Sequence, residues 1–156
     1  MVMDEFSIKL NDLLVETFRS ILKVEEEMLK HSDKVDLSIS EMHVIESVGK
    51  NKSEGKTISD IAEDLSITLP SVTIAINKLM KKGYVQKVKS ENDGRIVFVT
   101  LTPQGKRMDA VHRYFHQSMV RTVAKDLTKN EKDAMVKGIE KLNAFFKYKL
   151  DVMEEK

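Results

Sequence analysis

The chain has 156 residues, no cysteine and a formal net charge of +1, and 33% of its residues are charged against 41% hydrophobic. This balance is typical of one soluble globular domain, and it excludes a disordered chain and a function based on disulfides or thiols. No apolar run approaches the length of a membrane span and the N-terminus is acidic, so we expect a cytoplasmic protein.

The charges are distributed unevenly. Between Lys78 and Arg107 eight residues are basic and two are acidic, whereas the first 30 residues contain four basic and seven acidic ones. Attraction to a polyanion depends on local charge rather than on the sum over the chain. The basic segment is therefore a candidate surface for nucleic acid.

The first predicted helix covers residues 4–30, where apolar residues recur at helical spacing without Pro or Gly. Such a helix is about 40 Å long, which exceeds what a compact monomer of this size easily covers. This length suggests a partner chain. A second, shorter helix begins after Ser38, and Glu41 three residues later completes a capping box.

The next stretch predicts a helix-turn-helix followed by a hairpin. A short helix is expected over residues 59–65, a turn at 66–67, a second helix over 68–82 and a hairpin over 84–102. Thr68 is suited to cap the second helix, Gly83 to end it, and the Asp93-Gly94 step to close the hairpin. This order is that of a winged helix-turn-helix.

The second of these helices has two faces. Val72, Ile76 and Leu79 recur at helical spacing and are expected to pack inward with Ala75. The other face is small, hydroxyl- or amide-bearing and cationic, so it can enter a major groove, contact base edges and bind phosphates. The alternative is a small αβ core whose outer face is merely solvated. The predicted DNA-binding residues are Thr68, Ser71, Thr73, Asn77, Lys78, Lys81, Asp93 and Arg95.

Two further amphipathic helices follow, one from Thr102-Pro103 to about residue 125 and one after Thr128, which forms a capping pair with Glu131. The fold class is mainly α with a small β wing. We expect one domain over 1–156, with a DNA-binding lobe at 38–102 and a helical dimerisation lobe formed by 4–32 and 103–152. A homodimer would cover the apolar stripes and read a pseudopalindrome, whereas in a monomer the terminal helices would cap the winged domain.

This arrangement resembles the MarR family of dimeric bacterial transcription regulators over essentially the whole chain. The wing segment Asp93-Gly94-Arg95, followed by Val97, Val99 and Leu101-Thr102, is similar to that family's signature. The resemblance implies that the acid holds the wing arginine, which reaches into the minor groove. A narrow, negative groove suits an arginine physically.

Within that family the chain is most similar to the FabT subgroup. The segments LSISEMH at 37–43, ITLPSVT at 67–73 and HRYFH at 112–116 carry this resemblance. It implies a repressor of fatty-acid-biosynthesis genes whose DNA binding is strengthened by acyl chains presented on acyl carrier protein.

The four histidines suggest a second regulatory input. His112 and His116 are four residues apart and share one face of a helix, which is a spacing used for transition metals. Together with Glu25 and His43 they resemble the ligand set of zinc-sensing AdcR-like members of the family, and His31 could join a second, poorer site. The alternative is a metal-free hydrogen-bonded cluster in which Glu25 bridges imidazoles.

An apolar pocket is the other candidate effector site. Flexible, methionine-rich walls suit an acyl chain or an aromatic effector, although each residue could equally belong to the ordinary core. The predicted lining residues are Ile21, Val24, Met28, Val48, Met108, Phe115 and Met119.

An enzyme is disfavoured, because the chain has no nucleophile elbow, no phosphate-cradling glycine loop and no cysteine nucleophile. Besides a DNA-binding regulator and an enzyme, the third possible function is that of a helical interaction module that uses the winged region for protein contacts. Salt-dependent binding to duplex DNA separates that class from a regulator.

Overall fold

A computed structural model describes residues 3–30, 35–51 and 54–154. Its elements are α1 (Glu5–Lys30), α2 (Ile39–Lys50), α3 (Ile58–Leu65), α4 (Leu69–Lys81), β1 (Val85–Lys89), β2 (Val97–Leu101), α5 (Pro103–Lys125) and α6 (Lys129–Glu154). The predicted order of helices and strands, and the mainly α fold class with a β wing, are confirmed. Among the described helices, none combines the length and apolarity needed to cross a membrane.

The helix starts follow the local sequence. The side chain of Ser38 accepts from the backbone of Glu41 while the Glu41 carboxylate accepts from the backbone of Ser38, and Thr57 and Asp60 repeat the arrangement. Each pair satisfies two donors that the first helical turn leaves unpaired. The predicted capping box of α2 is therefore confirmed, and Thr128 with Glu131 forms the predicted contacts before α6.

The first compact unit comprises Met1–Arg113. Its core lies between α2, α3, α4 and the base of the wing. The strands β1 and β2 pair antiparallel with Val85 opposite Leu101 and Lys89 opposite Val97. The fully buried side chains of this core include Met42, Val44, Ile45, Val48, Ile61, Val72, Ile76, Leu79 and Val99.

The second compact unit comprises Tyr114–Lys156, namely the second half of α5 and all of α6. No described side chain of α6 is buried. Its apolar residues Met135, Ile139 and Phe146 recur at helical spacing and lie exposed on one face. This unit therefore presents an apolar stripe rather than a core.

Candidate nucleic-acid interface

Helix α4 is held by its inner face and by defined ends. Val72, Ile76 and Leu79 are fully buried, as the spacing predicts, and Ala75 is half-buried. Thr68 caps the first turn, and the helix ends one residue before the predicted Lys82. Because these contacts fix the rotation of the helix about its axis, they also decide which side chains face outward.

The outer face of α4 differs in detail from the prediction. Ser71, Asn77, Lys78 and Lys81 are exposed, but Thr73 is half-buried and its hydroxyl donates to the carbonyl of Leu69 at 2.9 Å. A hydroxyl that caps the backbone contributes less to reading bases.

The hydroxyls at the start of α4 are engaged in the same way. The Thr68 and Ser71 oxygens lie 2.8 Å apart, and the Thr68 oxygen also accepts from the Ser71 backbone. The carboxamide of Asn77 and the ammonium groups of Lys78 and Lys81 are therefore the main polar groups that the exposed face presents.

Lys82, which belongs to the basic segment between Lys78 and Arg107, is directed inward instead. Its ammonium group donates to both carboxylate oxygens of Glu41, at 3.1 and 2.9 Å. This hydrogen bond raises the pKa of Lys82. Burial alone would raise the pKa of Glu41, but hydrogen bonds from the Ser38 backbone and from Lys82 outweigh it and lower that pKa. The pair joins the end of α4 to the start of α2.

A second ion-pair network joins α2, α3 and the base of the wing, and sequence reasoning missed it. The Asp64 carboxylate accepts from the hydroxyl of Ser47 at 2.6 Å and from the ammonium groups of Lys50 at 2.9 Å and Lys56 at 2.8 Å. Burial would raise the pKa of Asp64, but the hydrogen bonds from Lys56, Ser47 and Lys50 lower it strongly.

The same Lys56 extends the network to the wing through its backbone. It exchanges two backbone hydrogen bonds with Val99, at 3.0 and 2.7 Å, and so forms an isolated bridge to β2. Lys56 thus contacts β2 through its backbone and Asp64 of α3 through its side chain, so it links the wing to the first helix of the helix-turn-helix.

The wing tip has the geometry that the family resemblance implies. The Asp93 carboxylate accepts from the backbone N–H of Arg95 at 3.0 Å and from its Nε at 3.2 Å. The Arg95 side chain is nevertheless 92% exposed. The guanidinium is thus held through its Nε and is accessible at its terminal nitrogens. Lys87 and Lys89 of β1 are exposed as well.

Three of the four predicted metal ligands come together in the first unit. Glu25 of α1, His43 of α2 and His112 of α5 offer ligand atoms that all lie within 4.8 Å of one another. The distances from the Glu25 carboxylate are 3.4 Å to His112 Nε2 and 3.8 Å to His43 Nε2. Glu46, which was not predicted, lies 3.6 Å from His112 Nδ1.

The remaining histidines are placed differently. His116 belongs to the second unit, where its ring packs edge-on against Phe115 with centroids 5.2 Å apart. His31, suggested for a poorer site, lies outside the described residues.

In the first unit, a small cavity beside Glu25 and His112 includes two of the predicted lining residues of the effector pocket. Met28 and Met108 line it together with Leu29, Met42 and Val111, and its volume is about 40 Å³. Ligand pockets usually have several hundred Å³.

The other predicted lining residues lie elsewhere. Val48 is part of the fully buried core, Ile21 is half-buried and Val24 is exposed. Phe115 and Met119 are half-buried in the second unit.

Comparisons with known proteins bear on this arrangement. A family model described as transcriptional regulator SarA/Rot matches residues 27–113. The structure of Streptococcus pneumoniae FabT in complex with DNA is similar to this chain with 35% identity and a TM-score of 0.82, covering 90% of this chain and 97% of that one. The chain belongs to the MarR family. It is a DNA-binding transcriptional regulator with a winged helix, and not an enzyme.

Curated relatives agree with MarR-family membership. An uncharacterised HTH-type transcriptional regulator of Bacillus subtilis, YhjH, is 32% identical over 89 residues, which are 57% of this chain and 50% of YhjH. The transcriptional regulator AdcR of Streptococcus pneumoniae is 26% identical over 133 residues, covering 83% of this chain and 89% of AdcR. The chain spans about half the length of the first of these relatives. Dimeric assembly is typical of MarR-family regulators.

Proposed function

We propose that this chain is a dimeric repressor of fatty-acid-biosynthesis genes, and that acyl chains on acyl carrier protein strengthen its binding to DNA. The observation that carries the proposal is the 35% identity to FabT across 90% of the chain. The segments at 37–43, 67–73 and 112–116 support the FabT-like assignment. That resemblance implies both the class of target genes and the acyl signal.

DNA docking follows from the exposed groups of α4 and the wing. In this proposal α4 enters the major groove, where Asn77 contacts base edges and Lys78 and Lys81 bind the phosphates. Arg95, held at its base by Asp93, enters the adjacent minor groove. Thr68, Ser71 and Thr73 keep a supporting role at the start of the helix, because their hydroxyls hydrogen-bond within it.

Dimerisation is supported by the apolar side chains that each unit leaves exposed. In α1 these include Phe6 and Phe18, and in α6 they include Ile139 and Phe146. Apolar surface of this extent marks an interface. A two-fold dimer places two copies of α4 about one DNA turn apart, so the operator is a pseudopalindrome.

The acyl chain is assigned to the cavity between Met28 and Met108. At about 40 Å³ the cavity holds little more than a water molecule, so the chain must open it. Methionine side chains rearrange at small cost because they are unbranched and flexible. Because α1, α2 and α5 all surround this cavity, its opening is a physical route by which an acyl chain would change the position of α4.

The test begins with selection of DNA duplexes by the purified protein, followed by binding measurements on the selected operator. Acyl carrier protein loaded with a long acyl chain is expected to lower the Kd of the DNA complex. The same carrier protein without the acyl group is the matched control. Equal Kd values with acylated and unacylated carrier protein would contradict the acyl response. Failure to select any DNA sequence would contradict the regulator model itself.

A zinc-responsive regulator is the second candidate, favoured by the Glu25, His43 and His112 cluster and by the similarity to AdcR. One carboxylate and two imidazoles are a donor set that zinc accepts, and the separations of 3.4 and 3.8 Å are near those between ligands on one tetrahedral ion. Bound zinc would supply a rigid link between α1, α2 and α5.

Elemental analysis of protein purified without added metal tests this candidate, together with a zinc titration of DNA affinity. Zinc near one ion per chain, lost in Glu25→Gln, is the expected result. Glu27→Gln on the same helix is the control. If the purified protein contains no zinc, and if micromolar zinc does not change its affinity for DNA, the zinc site is wrong. Glu25 then bridges the two imidazoles in a metal-free cluster.

A further inference from the structure

The side chain at the centre of the exposed face of α4 is apolar. An α-helix turns about 100° per residue, so Ile74 points away from the buried Val72, Ile76 and Leu79. It is 58% exposed, although it lies in the middle of a 13-residue helix whose ends are capped. Ile74 was not among the predicted DNA-binding residues.

The neighbours of Ile74 on this face define its surroundings. Asn77 and Lys78 follow one helical turn later, and both are exposed. The preceding turn offers the Ser71 hydroxyl, which is engaged with Thr68. The helix Leu69–Lys81 contains no arginine, the side chain that most often reads guanine in the major groove. An apolar group flanked by an amide and cations is therefore what the helix presents to DNA.

We propose that Ile74 is a specificity-determining residue that packs against the C5 methyl group of a thymine. The inference rests on the docking of α4 in the major groove proposed above. In that docking the residue opposite the core faces the base edges. The thymine methyl is the one apolar group that a standard base pair offers in that groove, whereas the other edges carry donors and acceptors that an isoleucine would desolvate.

Asn77 extends this reading to a second base pair. It lies three residues beyond Ile74, or about 4.5 Å along the helix axis, which is comparable to one base-pair step. The Asn carboxamide pairs with the N6 and N7 edge of adenine. Together the two side chains specify A·T pairs at neighbouring positions of each operator half-site.

Single exposed hydrophobic residues are common on protein surfaces, so exposure alone does not assign the contact. Removing the methyl group from the DNA distinguishes a contact between Ile74 and thymine from incidental exposure of Ile74. Uracil differs from thymine only by lacking the C5 methyl, and it leaves the base-pairing edge unchanged. A cycle that combines uracil substitution in DNA with Ile74→Ala in the protein therefore measures the methyl contact itself.

The experiment uses the full-length protein and an operator obtained by selection, with each thymine of the half-site replaced by uracil in turn. At one position the replacement is expected to weaken binding of the wild type about fourfold or more. Ile74→Ala should bind the thymine operator with a similar loss and should not respond to uracil at that position. Helix formation favours alanine over isoleucine, so the variant is expected to fold.

Met80→Ala is the matched control. Met80 is 39% exposed on the same helix but lies about 120° around the axis from Ile74. This variant should retain the full response to uracil. If Ile74→Ala and the wild type respond equally to uracil at every thymine, or if the selected half-sites contain no thymine, the assignment is wrong while DNA binding stands. If no duplex is selected, the docking model fails as well.

Discussion

The segment from α2 to β2 and helix α6 use their apolar residues in opposite ways. The segment buries them within one chain, as with Ile61 and Ile76, which have no exposed surface. The described side chains of α6 stay half-buried or exposed, including Phe145 and Phe146. The difference indicates that the DNA-binding part is complete within one chain, whereas α6 requires further protein to cover its stripe.

The largest expected effect is in the core of the DNA-binding part. Ile76→Ala leaves a cavity beneath α4 and should lower the free energy of unfolding by about 2–5 kcal/mol. Tyr148→Ala, at an exposed site of α6 away from the stripe of Met135, Ile139 and Phe146, is the control. Urea denaturation of both variants at one protein concentration measures the difference. Equal losses would mean that the buried side chain of Ile76 stabilises the fold no more than an exposed side chain of α6 does.

The next effect concerns association through α6. Phe146 is 55% exposed and lies on the stripe with Met135 and Ile139, so Phe146→Ala should weaken the dimer by about 2 kcal/mol, or roughly 30-fold. Sedimentation over a concentration series measures the dimer dissociation constant. Tyr148→Ala, on the same helix and 64% exposed, lies about 200° away around the axis and should have little effect. A Phe146 variant that associates as tightly as the wild type would place the interface elsewhere.

A smaller effect is expected from the Asp64 network, and it depends on pH. In the folded protein the pKa of Asp64 lies below its ordinary value of 3.8. The stabilisation from the Asp64 carboxylate is therefore fully present above about pH 4 and is lost as the pH falls further. Asp64→Asn should cost about 1.5 kcal/mol at neutral pH, and the wild type should lose this advantage on acidification towards the folded pKa. Urea denaturation at pH 7 and at successive acidic values measures this.

The control for that comparison is Asp12→Asn, an exposed position of α1 that is not among the partners of Asp64. It should change the unfolding free energy little at any pH. A constant difference between the wild type and Asp64→Asn from neutral to strongly acidic pH would mean that the charge of Asp64 does not stabilise the fold.

The smallest effect is at the wing. Arg95→Ala should weaken binding to all DNA sequences by about 1 kcal/mol, or roughly fivefold, and reduce the salt dependence by about one counterion. Lys137→Ala on α6 removes one exposed charge from the second unit and is the control. Fluorescence anisotropy with selected and scrambled duplexes at several salt concentrations gives both quantities. If Arg95→Ala binds as the wild type does, with the same salt dependence, the wing does not contact DNA.

The sequence predicted most of the fold because most of its signals are short-range. The capping box of Ser38 and Glu41 joins residues that are three positions apart. The buried stripe of Val72, Ile76 and Leu79 extends over about two helical turns. The Asp93–Arg95 pair at the wing is equally local. Another local contact involves Thr73, whose hydroxyl donates to the carbonyl four residues earlier. Its contact with DNA stays a prediction.

Contacts between residues that are distant in sequence could not be predicted, because they depend on how the helices pack. Lys82 pairs with Glu41 across 41 positions, and Ser47 with Asp64 across 17. Composition alone counts Lys82 as surface charge, and only the packing of α4 against α2 reveals that it points inward. Periodicity and capping are local, so the helices, the wing and their amphipathic faces follow from the amino-acid sequence. The direction of each long polar side chain depends on which distant partner the fold brings within hydrogen-bonding distance.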